Sequence, residues 1–302
     1  MKVLAITPHG MWDCLAAAVL EGLKKCPVEL YCTDEGNGAV NIISDREFVE
    51  LYPSADCILA FFSHKQTPPP RFYLIDRVDG WAKTAYIDGS EYNYTCRPGH
   101  TTEKLHPLFH DKARWYFKRE CLPEHVKQGI IPLPFSAVDA SFGNHQYTKD
   151  IDVLCSFGHL TTGLRVEAAR AVSELGQEGY RAVTIKDYPF PKYLEMISRS
   201  WICVEAFGGG EVNAGTWHIM ANKSAMFAQR YNIVIPGLVE NCHYIGWSHR
   251  EELKEKIRRW LSVKQALCSL IEDSYNNLLV YHTSLARAMQ VLGRIDEGKV
   301  SA

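Results

Sequence analysis

Short apolar runs alternate with amphipathic stretches along the whole chain. Lys2–Thr7 is an apolar run of strand length. Residues Trp12–Leu23 carry Leu15, Val19, Leu20 and Leu23 at helical spacing and stop before Pro27. Val28–Cys32, Cys57–Phe62, Thr84–Asp88, Ala113–Phe117 and Ile130–Leu133 are further short runs. Such runs suit parallel strands buried on both faces. Pro68–Pro70 breaks regular structure between two of them. The segment Ile130–Phe142 (IIPLPFSAVDASF) has two prolines and no helical period, and predicts the crossover into a second domain.

A second strand–helix series follows. Asp152–Phe157 predicts a buried strand, Gly158–Gly163 a loop with Thr161 and Thr162 available as caps, and Arg165–Leu175 a helix. Leu164, Ala168, Val172 and Leu175 share one face of that helix. Arg181–Ile185 is the next strand. Then come a helix (Tyr193–Ser200), a buried strand (Trp201–Ala206), a triple glycine (Gly208–Gly210) and a helix opening at Gly215–Thr216. Met226–Gln229 and Ile233–Ile235 predict two short strands, followed by a glutamate-bearing loop. Ser248 and Glu251 form a capping box, opening a helix with Leu253, Ile257, Trp260 and Leu261 inward. From Val263 to Leu292 runs one long amphipathic pattern with no internal glycine or proline. No repeat of the solenoid kind is visible.

Composition narrows the class. At 302 residues the chain is long enough for two domains, each with its own core. Its 46% hydrophobic and 23% charged residues are those of a soluble globular protein. A formal net charge of −2 argues against a surface dominated by binding to a phosphate backbone. The N-terminal MKVLAITPHG reads as a first strand and shows no signal peptide, and no stretch reaches membrane-spanning length. The expectation is therefore a cytoplasmic protein without stable membrane insertion. None of the ten cysteines forms a CxxC pair. Cys57, Cys155 and Cys203 sit in apolar runs, where cysteine behaves as a small buried hydrophobe. Cys242–His243 and His100, His106 and His110 lack recognised zinc spacing, so no metal is expected.

A glycine loop between a strand and a helix places backbone N–H groups and the positive end of a helix dipole at one point, which makes a phosphate seat. Residues Tyr193–Leu261 carry that pattern. Their order resembles the second half of the C-terminal domain of group 1 glycosyltransferases of the GT-B fold, especially the spore-maturation-protein-like branch. IDVLCSFGH resembles the first strand of that donor domain, and the Ile130–Phe142 segment is similar to the proline-containing crossover. DGSEYNY (88–94) and YFKRE (116–120) resemble further segments of the family. The resemblance covers most of the chain, and the order of its loose motifs is what makes it specific.

The resemblance implies an α/β fold of the GT-B class: two Rossmann-like domains facing a cleft, with a C-terminal helix crossing back to the N-terminal domain. Residues 1–140 would form the acceptor-side domain, 141–265 the nucleotide-sugar-binding domain, and 266–302 the returning helix. It implies a glycosyltransferase that moves a sugar from a nucleotide-diphosphate sugar, without a metal or other cofactor. A UDP-sugar is favoured over a GDP-sugar, and retention over inversion. Donor-binding candidates are Gly158, His159, Arg165, Lys186, Gly208, Gly209, Gly210, Gly215, Thr216, Trp217 and His218. His218 falls where the family's ribose-binding glutamate belongs, and Glu205 or Glu211 are the neighbouring carboxylates that could replace it. Acceptor-side catalytic candidates are Asp88 and His9, each at the carboxyl end of a predicted strand.

Plainer readings stand beside these. Gly208–Gly210 also suits a flexible turn, Arg165 a solvated helix residue, and Asp88 a turn cap. Asp150-Ile151-Asp152 mimics a DxD metal motif but reads as a solvated linker. A Rossmann dehydrogenase is disfavoured because GxGxxG is absent: Asn213 stands where the third glycine belongs. Two alternatives remain. One is a non-catalytic nucleotide-sugar-binding module; the other is a glycosyltransferase acting on modified phage-type DNA. For a nucleic-acid acceptor, which is not favoured, the basic cluster would be Lys112, Arg114, Lys118 and Arg119.

Overall fold

The structure, a computed structural model, describes residues 1–8, 13–62, 71–90, 112–157 and 163–300, with 298–300 described in the backbone alone. The chain folds into two compact units. The first comprises Met1–Val138, Ile233–Ile235 and Thr283–Ala302; the second comprises Asp139–Asn232 and Pro236–His282. Residues 266–282, expected to run with the C-terminal helix, thus belong to the second unit.

In the first unit the elements are β1 (Lys2–Ile6), α1 (Cys14–Leu23), β2 (Glu29–Cys32), α2 (Asp45–Leu51), β3 (Cys57–Phe62), α3 (Tyr73–Arg77), β4 (Thr84–Asp88), β5 (Trp115–Lys118), α4 (Pro123–Lys127) and β6 (Ile131–Pro132). The strands form one parallel sheet in the order β2-β1-β3-β4-β5-β6. The continuous apolar runs suit this because helices cover parallel sheets on both faces. Leu4, Ile6, Ile58, Ala60 and Tyr86 on the strands pack with Phe48 of α2 and Leu74 and Ile75 of α3. The C-terminal helix Ser284–Val300 packs on α1. Their approach needs Gly22, where any Cβ would overlap the Ser284 carbonyl.

The second unit runs β7 (Ile151–Ser156), α5 (Gly163–Gln177), β8 (Ala182–Ile185), α6 (Phe190–Arg199), β9 (Ser200–Glu205), α7 (Ala214–Ala221), β10 (Ala225–Gln229), β11 (Ile245–Trp247), α8 (Arg250–Leu261) and α9 (Lys264–Tyr281). Its sheet is also parallel, in the order β11-β10-β9-β7-β8. Val153, Cys155, Val204 and Phe227 meet Ala168, Val172 and Leu175 of α5 and Leu253 and Ile257 of α8 in its core.

Three local expectations are corrected. Ile233–Ile235 is not a strand, and the fifth strand is Ile245–Trp247 instead. The cap of α8 is His249, whose ring accepts from the Glu252 N–H, while the Ser248 N–H donates to the Glu252 carboxylate. The long pattern Val263–Leu292 is two helices. Its register breaks at His282, and the Thr283 hydroxyl caps the next helix by accepting from the Ala286 N–H at 3.1 Å. The DxD look-alike is structural: Asp150 is paired with Arg199 at 2.6 Å, and Asp152 accepts from the Arg181 N–H.

Candidate functional site

Parallel strands send all their carboxyl ends to one edge of a sheet, and ligands in open α/β sheets bind there. In the second unit this edge gathers Ser156 at the end of β7 with Phe157 after it, Asp187 and Tyr188 after β8, and Glu205 at the end of β9. The first turns of α5, α6 and α7 bring Arg165, Phe190, Tyr193, Ala214 and Gly215 to the same place, with His218 one turn further along α7. Together they enclose a cavity of about 400 Å³, within the range of small-molecule sites.

One end of the cavity is electrostatically built. Glu205, 4% exposed, accepts from the Ala206 N–H at 3.2 Å and from the Asn213 amide at 3.3 Å. Burial pushes its carboxyl up to about 7, against the lowering effect of the Arg165 guanidinium and these two donors. A Cβ at Gly215 would overlap the Glu205 Oε2, so only glycine lets the start of α7 lie against this carboxyl. Arg165 is held by its Nε, which donates to the Ala206 carbonyl at 3.3 Å, and by the Phe157 ring 5.2 Å from its guanidinium carbon. The amino end of α7 thus presents its dipole to a space also reached by a guanidinium. His218, one turn further on, meets the rings of Phe190 and Tyr193 edge-on, and burial holds its imidazole down to about 4. It is neutral at pH 7.

The expected donor residues divide. Arg165, Gly215 and His218 line the cavity. Ala214, Gly215 and His218 lie on one face of α7, so the residues between them point elsewhere. The Thr216 hydroxyl pairs with the Tyr231 hydroxyl at 3.3 Å, and the buried Trp217 stacks on His282 at 4.5 Å. Neither lines the cavity. Nor does the triple glycine. The Gly208 N–H donates to the Gly210 carbonyl, and Gly208 lies against Arg165 and Asn213, where a Cβ would overlap the guanidinium. The turn that faces the cavity is therefore Asn213–Gly215 rather than Gly208–Gly210. Lys186 is exposed and pairs with Asp187 at 3.7 Å; its neighbours Asp187 and Tyr188 line the cavity in its stead. Gly158 and His159 lie outside the described residues. Of the two replacement carboxylates, Glu205 faces the cavity, while Glu211 accepts from the Asn232 backbone and side chain at 2.6 and 3.0 Å. The aromatic lining at Tyr188, Phe190 and Tyr193 was missed; the Tyr-Pro-Phe-Pro run (188–191) just after a strand was the available signal.

In the first unit, Asp88 ends β4 as expected but is 3% exposed and fully engaged. It accepts from Lys118 Nζ at 3.0 Å, Tyr116 Oη at 2.9 Å, the Ser90 N–H at 2.9 Å and the Ser90 hydroxyl. Burial would raise its carboxyl, but the Lys118 ammonium and the Ser90 donors outweigh it and hold it below the usual carboxylate range. Such a carboxylate is a weak proton acceptor. His9 lies outside the described residues. The expected basic cluster is not a surface patch, because Lys118 and Arg119 are 2% and 6% exposed. Arg119 packs on the Phe135 ring and pairs with Glu120.

Solved structures share this architecture end to end. A glycosyltransferase from Rickettsia africae superposes with a TM-score of 0.65 at 10% identity, covering 98% of each chain. Anabaena Alr3699/HepE, solved in complex with UDP and glucose, gives 0.63 at 9% identity over 98% of this chain and 100% of that one. An alpha-glucosyltransferase in complex with UDP-glucose and DNA containing an abasic site gives 0.60 at 12%, covering 98% of each. The fold is GT-B. Two parallel α/β sheets carry it, and the match extends over nearly the whole chain. No family model matches the sequence, and no curated protein matches it. Among the described residues no helix is long and apolar enough to cross a membrane.

Proposed function

We propose that this chain is a nucleotide-sugar-dependent glycosyltransferase whose donor occupies the cavity of the second unit. The observation that carries the reading is the start of α7. There a glycine brings the helix's amino end against the buried Glu205, with Arg165 in the same cavity. Glycosyl transfer develops negative charge on the leaving nucleoside diphosphate, and fixed dipoles and a guanidinium stabilise it without reorganising. Arg165 and the first turn of α7 supply that charge, which supports a mechanism that needs no metal. A neutral His218 can donate or accept one hydrogen bond to a hydroxyl of the donor. Glu205, half-ionised near neutrality, can do either as well.

UDP-sugars are the donor class we favour, because solved proteins of the same fold were captured with UDP. Retention of the anomeric configuration is the favoured outcome, since the family resembled leans to it and Asp88 is already committed to Lys118. The buried Lys118 and Arg119 speak against a DNA acceptor.

Arg165→Ala should weaken UDP binding by about 1.5–3 kcal/mol, the worth of charged hydrogen bonds to phosphate. Calorimetry with UDP, UDP-glucose, a GDP-sugar and NAD checks both statements. Tight binding of NAD alone, or no binding by the parent protein at all, overturns the reading. Equal affinities of parent and variant remove Arg165 from the site.

A further inference from the structure

The cavity lining also carries aromatic rings, brought by the loop after β8 and the first turn of α6. Tyr188 is 47% and Phe190 43% exposed. Phe190 lies 5.2 Å from the His218 ring and 6.2 Å from Tyr193, and Tyr193 lies 5.6 Å from His218. Asp187, just before Tyr188, has φ of 56°, in the left-handed region. A non-glycine residue there costs free energy that the surrounding structure must outweigh, and such positions cluster where ligands are clamped.

Large apolar rings left nearly half exposed at the rim of a concave site mark a place for an apolar, flat occupant. Phe190, Tyr193 and His218 pack ring against ring, so the position of Phe190 is fixed before any ligand arrives. The Phe190, Tyr193 and His218 rings carry no charge at pH 7, since His218 is neutral and burial raises the Tyr193 phenol. Phosphate has no reason to choose these rings. A heteroaromatic base does, because every base has a π-face that stacks on an aromatic side chain regardless of its hydrogen-bonding edge.

We propose that Tyr188 and Phe190 form the stacking platform for the base of the bound nucleotide, with Asp187 at its edge as acceptor for a base N–H. This rests on the donor reading above and adds the residues that tell a nucleotide from a bare diphosphate. An uncharged platform with a single carboxylate acceptor recognises that a base is present more than which base it is. Discrimination among bases should therefore be shallow compared with discrimination against ligands that lack one.

Calorimetry of the parent protein, Tyr188→Ala, Tyr188→Phe and Phe190→Ala tests it, with UDP, UDP-glucose and inorganic pyrophosphate as probes. Both side chains are exposed, so the variants should fold as the parent does. In the parent, UDP should bind more tightly than pyrophosphate. Tyr188→Ala should weaken UDP about 10- to 100-fold, the worth of one base–aromatic stack, and leave pyrophosphate unchanged. Tyr188→Phe should restore the parent affinity. The platform is overturned if UDP and pyrophosphate bind the parent equally, or if Tyr188→Ala leaves UDP untouched. It is also overturned if only UDP-glucose weakens, which would assign the rings to the sugar. Failure of the parent to bind any of the three probes would instead remove the donor reading itself, and this proposal with it.

Discussion

Replacing Lys118 with Met should cost the first unit about 3–5 kcal/mol, the usual consequence of removing one partner from a buried ion pair. Lys118 and Asp88 are both almost fully buried, and their charges meet at 3.0 Å. Without the ammonium, Asp88 keeps Tyr116 and Ser90 as donors but no countercharge. Asp88→Asn should be costly for the mirror reason, since Lys118 would be left charged and buried. The double variant Asp88→Asn/Lys118→Met should recover most of the loss, because the interaction term of the cycle dominates.

The pH dependence has a definite sign. In the parent, the folded carboxyl of Asp88 lies below its unfolded value. Its contribution is present above that unfolded value and is lost as pH falls through the folded one. In Lys118→Met the buried carboxyl should instead titrate above the unfolded value. The gap between parent and variant should therefore narrow as pH falls to about 4. Urea unfolding at about pH 7 and pH 4 checks this. A Lys118→Met protein within about 0.5 kcal/mol of the parent at both would show that the pair is not holding the end of β4. If Asp88 were a general base, its loss would show in turnover with stability intact; the geometry places the effect on stability first.

Much of this architecture was legible because parallel strands advertise themselves. Cys57–Phe62 is apolar throughout and Thr84–Asp88 is buried along its whole length, and their predicted bounds match the observed ones. Other signals were present but unread: Ser44 and Glu47 make a reciprocal capping box that opens α2. What local pattern could not give was long-range competition. Thr283 falls inside an unbroken amphipathic period, and nothing nearby says that its hydroxyl will cap a new helix. The glycine run drew attention as a phosphate seat, yet the turn that faces the cavity is Asn213–Gly215, set by where α7 begins. Asp88 was placed at the correct strand end, but the partner that alters its chemistry comes from β5, the adjacent strand and distant in sequence. Burial and partners, which set the charge of Asp88, Glu205 and His218, depend on the assembled sheet.

Glu205→Gln should stabilise the second unit by up to about 3 kcal/mol at pH 8, with the difference vanishing below about pH 4.5. The Glu205 carboxyl is raised from 4.5 to about 7, mainly by burial. A group raised in the folded state contributes stability below its unfolded value and loses it as pH rises through the folded one. Gln keeps an acceptor for Ala206 and Asn213 but never has to carry a buried charge. His218 acts in the opposite sense. Its folded value is pushed from 6.5 down to about 4, so it costs stability as pH falls through that window. Between about pH 4.5 and 6.5 the two slopes offset each other in the parent, and Glu205→Gln should expose the histidine slope as a steeper acid destabilisation. The same substitution bears on binding. Ionised Glu205 sets a negative charge beside the start of α7, so UDP affinity in the parent should fall between about pH 6.5 and 8, and in Glu205→Gln it should stay nearly flat. Urea unfolding and UDP calorimetry across about pH 4 to 8 read both effects. Parallel pH profiles for parent and variant would mean that Glu205 is ionised throughout, and that Arg165 and the dipole of α7 together outweigh its burial.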